Sequence, residues 1–249
     1  VLRIFLRVEK DVMVRAVEER HNYRRIFISK KGKSGRKRVL HAPPDNLKYV
    51  QKRIFRCFLK PVIWEDYVHG FVNGRSNLTA ARTHSQAEAL LTIDFKNAFD
   101  AITYQRVQGI FLNQLRLNEA VTFWLTELTT HNGRLPQGAP SSPLIFNLAA
   151  DGLDKILLTY CRECGYGYTR YCDEIVVSSA QPISKERRSE IVQFCRQAGF
   201  KMAPEKVRYQ ESRWGVLEVN KVLVRGDGSL GLSNRKVVDN IRAMAHRLS

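Results

Sequence analysis

The stretch YGYTRYCDEIVVSS, residues 166–179, decides the fold because it joins two β-rich runs through an acidic turn. The first run ends at Tyr171 and the second begins at Glu174, which leaves only Cys172 and Asp173 between them. A connection of two residues is typical of a tight β-hairpin. The stretch therefore predicts a hairpin whose turn carries two neighbouring acids, Asp173 and Glu174.

A third acid lies in a separate apolar strand, ALLTIDF at residues 89–95. A buried carboxylate without a partner is costly, so Asp94 needs a partner or a metal beside it. If this strand lies beside the hairpin, the carboxylates of Asp94, Asp173 and Glu174 converge. Hard oxygen ligands clustered at strand ends are the arrangement that binds two Mg²⁺ ions. The ordinary interpretation also stays open, since a strand-end Asp is often a cap and an Asp-Glu pair at a turn is often only solvated.

The rest of the chain alternates between strand-like and helical patterns. Residues 25–41, RIFISKKGKSGRKRVLH, predict a hairpin with a basic tip. A helix with Asp45 or Asn46 as its N-cap follows, with apolar residues at helical spacing. Further helices are predicted after the caps Asn118 and Ser184. These patterns indicate a fold that mixes helices and strands.

Composition and charge narrow the class of protein. The chain has 249 residues, of which 44% are hydrophobic, so it can form a substantial core. The formal net charge of +17 predicts a polyanionic partner. No run of about 18 uncharged apolar residues is present, so no membrane span is expected, and the charged opening stretch is unlike a signal peptide. The five cysteines are odd in number and scattered, which favours reduced thiols in a cytoplasm-like compartment.

Three stretches resemble, in order and at suitable intervals, the central motifs of reverse transcriptases: LTIDFKNAFD at 91–100, LPQGAPSSP at 135–143 and RYCDE at 170–174. The flanking sequence agrees with this resemblance. The hairpin at 27–43 and the loop at 70–76 resemble segments of the retron and group II intron enzymes. The remaining matches, to the fourth motif, the primer grip and the first thumb helix, are residues 199–206, 215–220 and 235–248.

The resemblance implies an α+β fold of the right-hand polymerase type. Its antiparallel palm sheet would be backed by helices and accompanied by fingers and a partial thumb. By position, the implied domains are fingers at 1–69 and 103–138, palm at 70–102 and 139–222, and the start of the thumb at 223–249.

The resemblance also assigns the acids a common task. Asp94 and Asp173 would coordinate two Mg²⁺ ions, for which Mn²⁺ can substitute, with the backbone carbonyl of Phe95 as a further ligand. Glu174 stands where the family usually has a second aspartate. Its extra methylene displaces a metal ligand by about 1 Å, which can cost on the order of 100-fold in rate unless the site tolerates the longer side chain. Lys206 would protonate or stabilise the leaving pyrophosphate.

Further residues correspond to the part of the family's site that binds the nucleotide. Phe99 matches the aromatic residue that excludes ribonucleotides by clashing with their 2′-hydroxyl. Lys30 and Arg38 would pair with the incoming triphosphate. Gln137 and Gly138 would approach the nucleotide and template, which a glycine allows because it has no Cβ.

The resemblance therefore implies an RNA-directed DNA polymerase, of the bacterial retroelement or antiviral-defence kind, that adds deoxynucleotides to a primer 3′-hydroxyl. Its partners would be an RNA template, a DNA or RNA primer and dNTPs, with a structured non-coding RNA or an accessory protein as further candidates. It would act in the cytoplasm. The short motifs at residues 80–84 and 213–215 differ from those typical of retrons, so the lineage of the enzyme within the bacterial retroelements stays open. Two other functions stay open as well: a catalytically weakened nucleic-acid-binding module, and an enzyme that makes DNA without a template or from a protein primer.

Overall fold

The structure is a computed structural model that describes residues 2–29 and 37–232. The chain divides into two compact units. One contains the residues up to Ile63 together with Asn97–Asp151, and the other contains Trp64–Lys96 together with the residues from Gly152 onward. No helix in the described part of the chain is both long and apolar enough to cross a membrane. All five cysteines lie within the described residues and are unpaired.

The helices and strands are labelled in chain order. The α-helices are α1 (Leu2–Leu6), α2 (Lys10–Glu18), α3 (Asp45–Ile54), α4 (Asn77–Thr83), α5 (Tyr104–Gly109), α6 (Glu119–Thr129), α7 (Ser142–Glu163) and α8 (Lys185–Gln197). The β-strands are β1 (Arg24–Ser29), β2 (Lys37–Ala42), β3 (Ala89–Phe95), β4 (Gly167–Tyr171), β5 (Glu174–Ser179), β6 (Met202–Glu211), β7 (Leu217–Val219), β8 (Val222–Val224) and β9 (Leu230–Leu232). Two π-helical turns, Phe55–Leu59 and Ile110–Gln114, continue α3 and α5.

The first unit contains a two-stranded hairpin together with helices. Strands β1 and β2 pair antiparallel, with Arg24 opposite Ala42 and Ser29 opposite Lys37, so the predicted basic hairpin is confirmed. Its predicted tip, which includes Lys30, lies outside the described residues.

The start of α3 differs from the prediction, which placed the N-cap at Asp45 or Asn46. That prediction is wrong, because Pro44 is the N-cap and no side chain caps the helix. The restricted φ of proline holds the chain extended just before the helix, so Asp45 enters the first turn, where its charge favours the helix dipole. The predicted caps Asn118 and Ser184 are confirmed, since each side chain accepts a hydrogen bond from a backbone N–H in the first turn.

The second unit is built on a four-stranded antiparallel sheet in the order β4-β5-β3-β6. Its elements follow one another as β3, α7, β4, β5, α8 and β6, which is the β-α-β-β-α-β order of the split βαβ motif. The predicted hairpin is confirmed, because β4 and β5 pair from Gly167 opposite Ser178 to Tyr171 opposite Glu174. The mixed helix-and-sheet class is therefore confirmed. The finger, palm and thumb assignments stay predictions, and the predicted thumb helix lies outside the described residues.

The two central strands of this sheet are almost wholly buried. In β3 every residue except Asp94 is buried, and in β5 every residue except Glu174. Strands β7, β8 and β9 form a smaller antiparallel sheet. A hydrophobic cluster joins α4, β3 and β5 to that sheet through Ala81, Leu90, Val176, Leu217, Val219, Val222 and Val224. The only partly exposed positions of the central strands are thus acidic.

Candidate active site

Asp94 and Glu174 face each other across two neighbouring strands. Strands β3 and β5 run antiparallel with Asp94 directly opposite Glu174. Residues in this relation project their side chains to the same face of the sheet. Beside them, the backbone N–H of Phe95 donates a hydrogen bond to the carbonyl of Asp173 at 3.0 Å. The strand pairing therefore brings the segment with Asp94 against the turn with Asp173 and Glu174.

Lys206 contacts two of the predicted ligand oxygens. The pairing of β3 with β6 is interrupted opposite Asp94, where the residues before Val207 leave the regular register. Pro204, which has no N–H to donate, lies in this interruption. From here Lys206 Nζ donates to Asp94 Oδ1 at 2.5 Å and to the Phe95 carbonyl at 3.1 Å. A single positive charge is thus shared by a carboxylate and a backbone carbonyl.

The carboxyl group of Glu174 is poorly compensated. Its Oε1 is buried and accepts no hydrogen bond from any residue that the structure describes. Burial raises the pKa of Glu174 to about 7, an effect that Arg208 opposes and the charges of Asp94 and Asp173 reinforce. Arg208 Nη2 lies 3.8 Å from Oε1. A carboxyl group in this state gains from a cation placed beside it.

The oxygen donors at this end of the sheet fit a hard divalent cation. Carboxylates and a backbone carbonyl are the ligands that Mg²⁺ and Mn²⁺ prefer, and Lys206 already contacts the oxygens of Asp94 and Phe95. Among residues 2–29 and 37–232, no group of three or more His, Cys, Asp or Glu side chains is arranged to hold a single metal ion. Carboxylate and carbonyl oxygens of this kind suit Mg²⁺, which usually keeps several water molecules and takes further ligands from a substrate.

Gln137 and Gly138 lie against the basic hairpin within the first unit. The backbone N–H of His41, in β2, donates to the Gln137 carbonyl at 2.7 Å. Gly138 has φ +120, and a Cβ there would lie 3.0 Å from the His41 carbonyl oxygen. Only glycine combines this backbone conformation with this close approach. The predicted nucleotide residue Arg38 is exposed on the same strand β2, so the hairpin and the 137–138 loop form one group.

Phe99 lies in the first unit, in the short 3₁₀ turn Phe99–Ala101. Its ring stacks on that of Phe146 in α7, with 5.1 Å between the centroids and 29° between the planes. Arg134 Nη1 donates to the carbonyl of Asp100 at 2.6 Å, which ties the turn to the segment before the 137–138 loop. The Phe99 ring is therefore supported from behind and held by a fixed turn.

The sequence patterns assign no role to two buried polar groups of the second unit, Arg170 and His84. Arg170 is fully buried and forms a two-pronged ion pair with Asp154. His84 is buried against β4 and β5, and its ring nitrogens hydrogen-bond to Ser178 Oγ and Thr169 Oγ1, each at 2.7 Å. A charged residue within a predicted strand was the available signal for Arg170, but its partner lies on a helix that no local pattern connects to it.

Known proteins with similar sequences indicate the family of this chain. The family described as reverse transcriptase (RNA-dependent DNA polymerase) matches residues 28–220. The chain is 33% identical to the retron Mx65 reverse transcriptase of Myxococcus xanthus, over 86% of this chain and 54% of that protein. It is 30% identical to the retron Mx162 reverse transcriptase of Myxococcus xanthus, over 86% of this chain and 50% of that protein. It is 34% identical to the retron Ec86 reverse transcriptase of Escherichia coli, over 66% of this chain and 50% of that protein.

These relatives extend well beyond the matched region, because the chain spans about half the length of the curated relatives it matches. The family match covers most of the chain and includes β3, the 137–138 loop and the hairpin of β4 and β5. The resemblance drawn from the motifs is therefore confirmed. On this evidence the chain belongs to the reverse transcriptase family.

Proposed function

We propose that this chain is an RNA-directed DNA polymerase that adds deoxynucleotides to a primer 3′-hydroxyl by two-metal-ion phosphoryl transfer. One observation carries the proposal: Asp94 and Glu174 are register partners beside the Asp173 turn, and Lys206 shares its charge between Asp94 and the Phe95 carbonyl. Membership of the reverse transcriptase family supports the same reaction.

The acids would hold the metal ions of this reaction. Asp94, Asp173, Glu174 and the carbonyl of Phe95 would bind two Mg²⁺ ions, or Mn²⁺ in their place. When bound, such ions lower the pKa of the primer hydroxyl and neutralise charge on the transferring phosphoryl group. Lys206 would protonate or stabilise the leaving pyrophosphate, because its ammonium lies beside the oxygens of Asp94 and Phe95 that would hold the metal ions.

The residues of the first unit would bind and select the nucleotide. Lys30 and Arg38 would pair with the triphosphate. Gln137 and Gly138, packed against β2, would contact the nucleotide and template. Phe99, backed by Phe146, would exclude the 2′-hydroxyl of a ribonucleotide.

We propose the same division into domains as the motifs predict. Residues 1–69 and 103–138 would be fingers, residues 70–102 and 139–222 palm, and residues 223–249 the start of the thumb.

The net charge of +17 suits an RNA template paired with a DNA or RNA primer, because a duplex is held mostly through its phosphates. Since the relatives are retron reverse transcriptases, a structured non-coding RNA is a further proposed partner, with an accessory protein as another. The proposed role is that of a cytoplasmic retroelement or antiviral-defence enzyme.

Primer extension on an RNA template with a DNA primer, dNTPs and Mg²⁺ tests the proposal. The wild type should incorporate dNTPs only when the template is present, and Asp94→Asn and Asp173→Asn should reduce incorporation to background. The matched control is Asp11→Asn, which changes an exposed acid on α2 and should behave as the wild type.

Two outcomes would contradict the proposal. Binding of the primer-template without incorporation would indicate a weakened nucleic-acid-binding module. Incorporation that does not depend on the template would indicate untemplated or protein-primed synthesis.

A further inference from the structure

The turn that carries Asp173 adopts a backbone conformation that needs support. Cys172, the residue before Asp173, has φ +56, a left-handed conformation that residues other than glycine rarely adopt. Such a conformation persists only where the surrounding structure holds it. The position of Asp173 therefore depends on the groups that contact Cys172.

The first of these groups is the buried ion pair of Arg170 and Asp154, whose side chains are 0% and 1% exposed. Arg170 Nε and Nη2 donate to the Asp154 carboxylate at 2.8 and 2.7 Å, and Tyr168 Oη donates to Asp154 Oδ1 at 2.7 Å. The remaining Arg170 nitrogen, Nη1, donates to the carbonyl of Cys172 at 3.1 Å. Because the guanidinium is planar, fixing Nε and Nη2 on Asp154 also fixes the direction in which Nη1 donates.

The second group is the backbone of Gly70. A Cβ at this position would lie 2.1 Å from the backbone nitrogen of Cys172 and 2.8 Å from its Cα. These are main-chain atoms, so they cannot rotate aside as the end of a flexible side chain could. Glycine at position 70 therefore allows the backbone of this segment to pack directly on the backbone of the turn at Cys172.

The chain around Gly70 is attached to the strand that leads into the turn. The backbone N–H of Arg170 donates to the Tyr67 carbonyl at 2.8 Å, and the N–H of His69 donates to the Arg170 carbonyl at 2.8 Å. The contact with Gly70 is thus continuous with the edge of β4.

Arg75 closes the other side of this segment. Its guanidinium donates to the carbonyls of Val68 at 2.7 Å and Trp64 at 3.0 Å, and it also contacts the carbonyl of Glu65. Residues 64–76 are therefore folded on themselves by one side chain and attached to β4 by main-chain hydrogen bonds.

We propose that the 64–76 segment and the Arg170–Asp154 pair are positioning elements of the reaction, which set the place of the Asp173 carboxylate through Cys172 without touching substrate. The proposal rests on the proposed function, since it treats Asp173 as a metal ligand. An added Cβ at Gly70 would have to move by more than about 1 Å to reach ordinary van der Waals distance from Cys172. Misplacement of this size at a reacting group costs on the order of 100-fold in rate.

Gly70→Ala tests the proposal against Gly152→Ala as a matched control, because a Cβ at Gly152 meets no atom within 4 Å. In primer extension Gly70→Ala should lower kcat by roughly 100-fold while leaving KM for dNTP and Kd for the primer-template unchanged. Binding of Mn²⁺ to the protein alone, followed by electron paramagnetic resonance, should weaken in Gly70→Ala and stay at the wild-type level in Gly152→Ala.

A second variant guards against misfolding of the first. Arg75→Gln removes the contacts to the carbonyls without introducing a clash, and it should shift kcat and Mn²⁺ binding in the same direction by a smaller factor, about tenfold. The proposal is wrong if both variants bind Mn²⁺ as the wild type does. It is also wrong if each variant loses turnover only in proportion to the fraction of protein that is unfolded under the assay conditions, as calculated from urea denaturation.

The two proposals fail in different ways. A wild type that incorporates no dNTP refutes the proposed function. Comparison of Mn²⁺ binding between Gly70→Ala and Gly152→Ala then still decides the positioning role, and an equal or absent Mn²⁺ signal in the two overturns it.

Discussion

Lowering the pH from about 7 to about 5 should destabilise the protein by about 2 kcal/mol through one buried histidine, His84. The ring hydrogen-bonds to Ser178 on β5 and to Thr169 on β4. Burial, reinforced by the charge of His69, lowers the pKa of His84 from 6.5 to about 3. The hydroxyl partners can accept bonds from either protonation state, so the charge itself is what the site disfavours.

Proton linkage gives the direction and size of the change in unfolding free energy. Below pH 6.5 the unfolded chain binds a proton at His84 that the folded protein does not bind until the pH approaches about 3. The stability contributed by the neutral ring is therefore present above pH 6.5 and is lost progressively between these two values. Each pH unit within the window costs about 1.4 kcal/mol, which gives about 2 kcal/mol at pH 5.

Urea denaturation of the wild type and of His84→Gln at both pH values measures this effect. Other groups also titrate in this range, so the relevant quantity is the difference between the two proteins in how much unfolding free energy each loses. His21→Asn, which replaces an exposed histidine, is the matched control and should lose as much as the wild type. If His84→Gln loses as much unfolding free energy as the wild type, burial of the neutral His84 ring is not the cause of the loss.

Phe99→Val should admit ribonucleotides, and Phe146→Leu should do so to a smaller extent because it removes the ring behind Phe99. Competition between dNTP and rNTP in primer extension measures both effects. Unchanged sugar selectivity would contradict the role of Phe99 in excluding ribonucleotides. Arg170→Met should lower the unfolding free energy by about 3–5 kcal/mol, because it leaves the Asp154 carboxylate buried without its partner. Urea denaturation should find most of that loss recovered when Asp154→Leu is added, and a loss that persists in the double variant would point to packing instead. Affinity for a primer-template, measured by fluorescence anisotropy, should fall by about 10³ or more between roughly 50 and 200 mM salt, whereas a flat response would contradict phosphate binding.

The strands of the site could be predicted because their signals are local. The mainly apolar residues 89–95, which include Asp94, have the length and composition of a buried strand. Only two residues separate Tyr171 from Glu174, which is the length of a tight turn. Neither signal depends on distant parts of the chain. The sequence motifs in these elements resemble those of reverse transcriptases, and the family match confirms this resemblance.

The contacts between distant segments could not be predicted in the same way. The register that sets Asp94 opposite Glu174 depends on which strands pair, and a slip of one residue would turn one of them to the other face. The glycine at position 70 carries no sign of its neighbour, because the contact with Cys172 exists only after folding. The prediction that Asp45 or Asn46 caps α3 is wrong for a local reason, because the backbone restriction of Pro44 outweighs the side-chain preference for a cap.

The cations of β6 explain how two facing carboxylates can share one end of the sheet. Like charges directly opposite each other destabilise a β-sheet. Lys206 and Arg208 are two residues apart on β6 and so project to one face, where Lys206 contacts Asp94 and Arg208 lies 3.8 Å from Glu174. Each of these half-exposed pairs contributes only about 0–1 kcal/mol, enough to offset repulsion but too little to hold the carboxylates closed. The two pairs therefore compensate the charges of Asp94 and Glu174 and remain weak enough for a divalent cation to replace Lys206 and Arg208, as the proposed metal site requires.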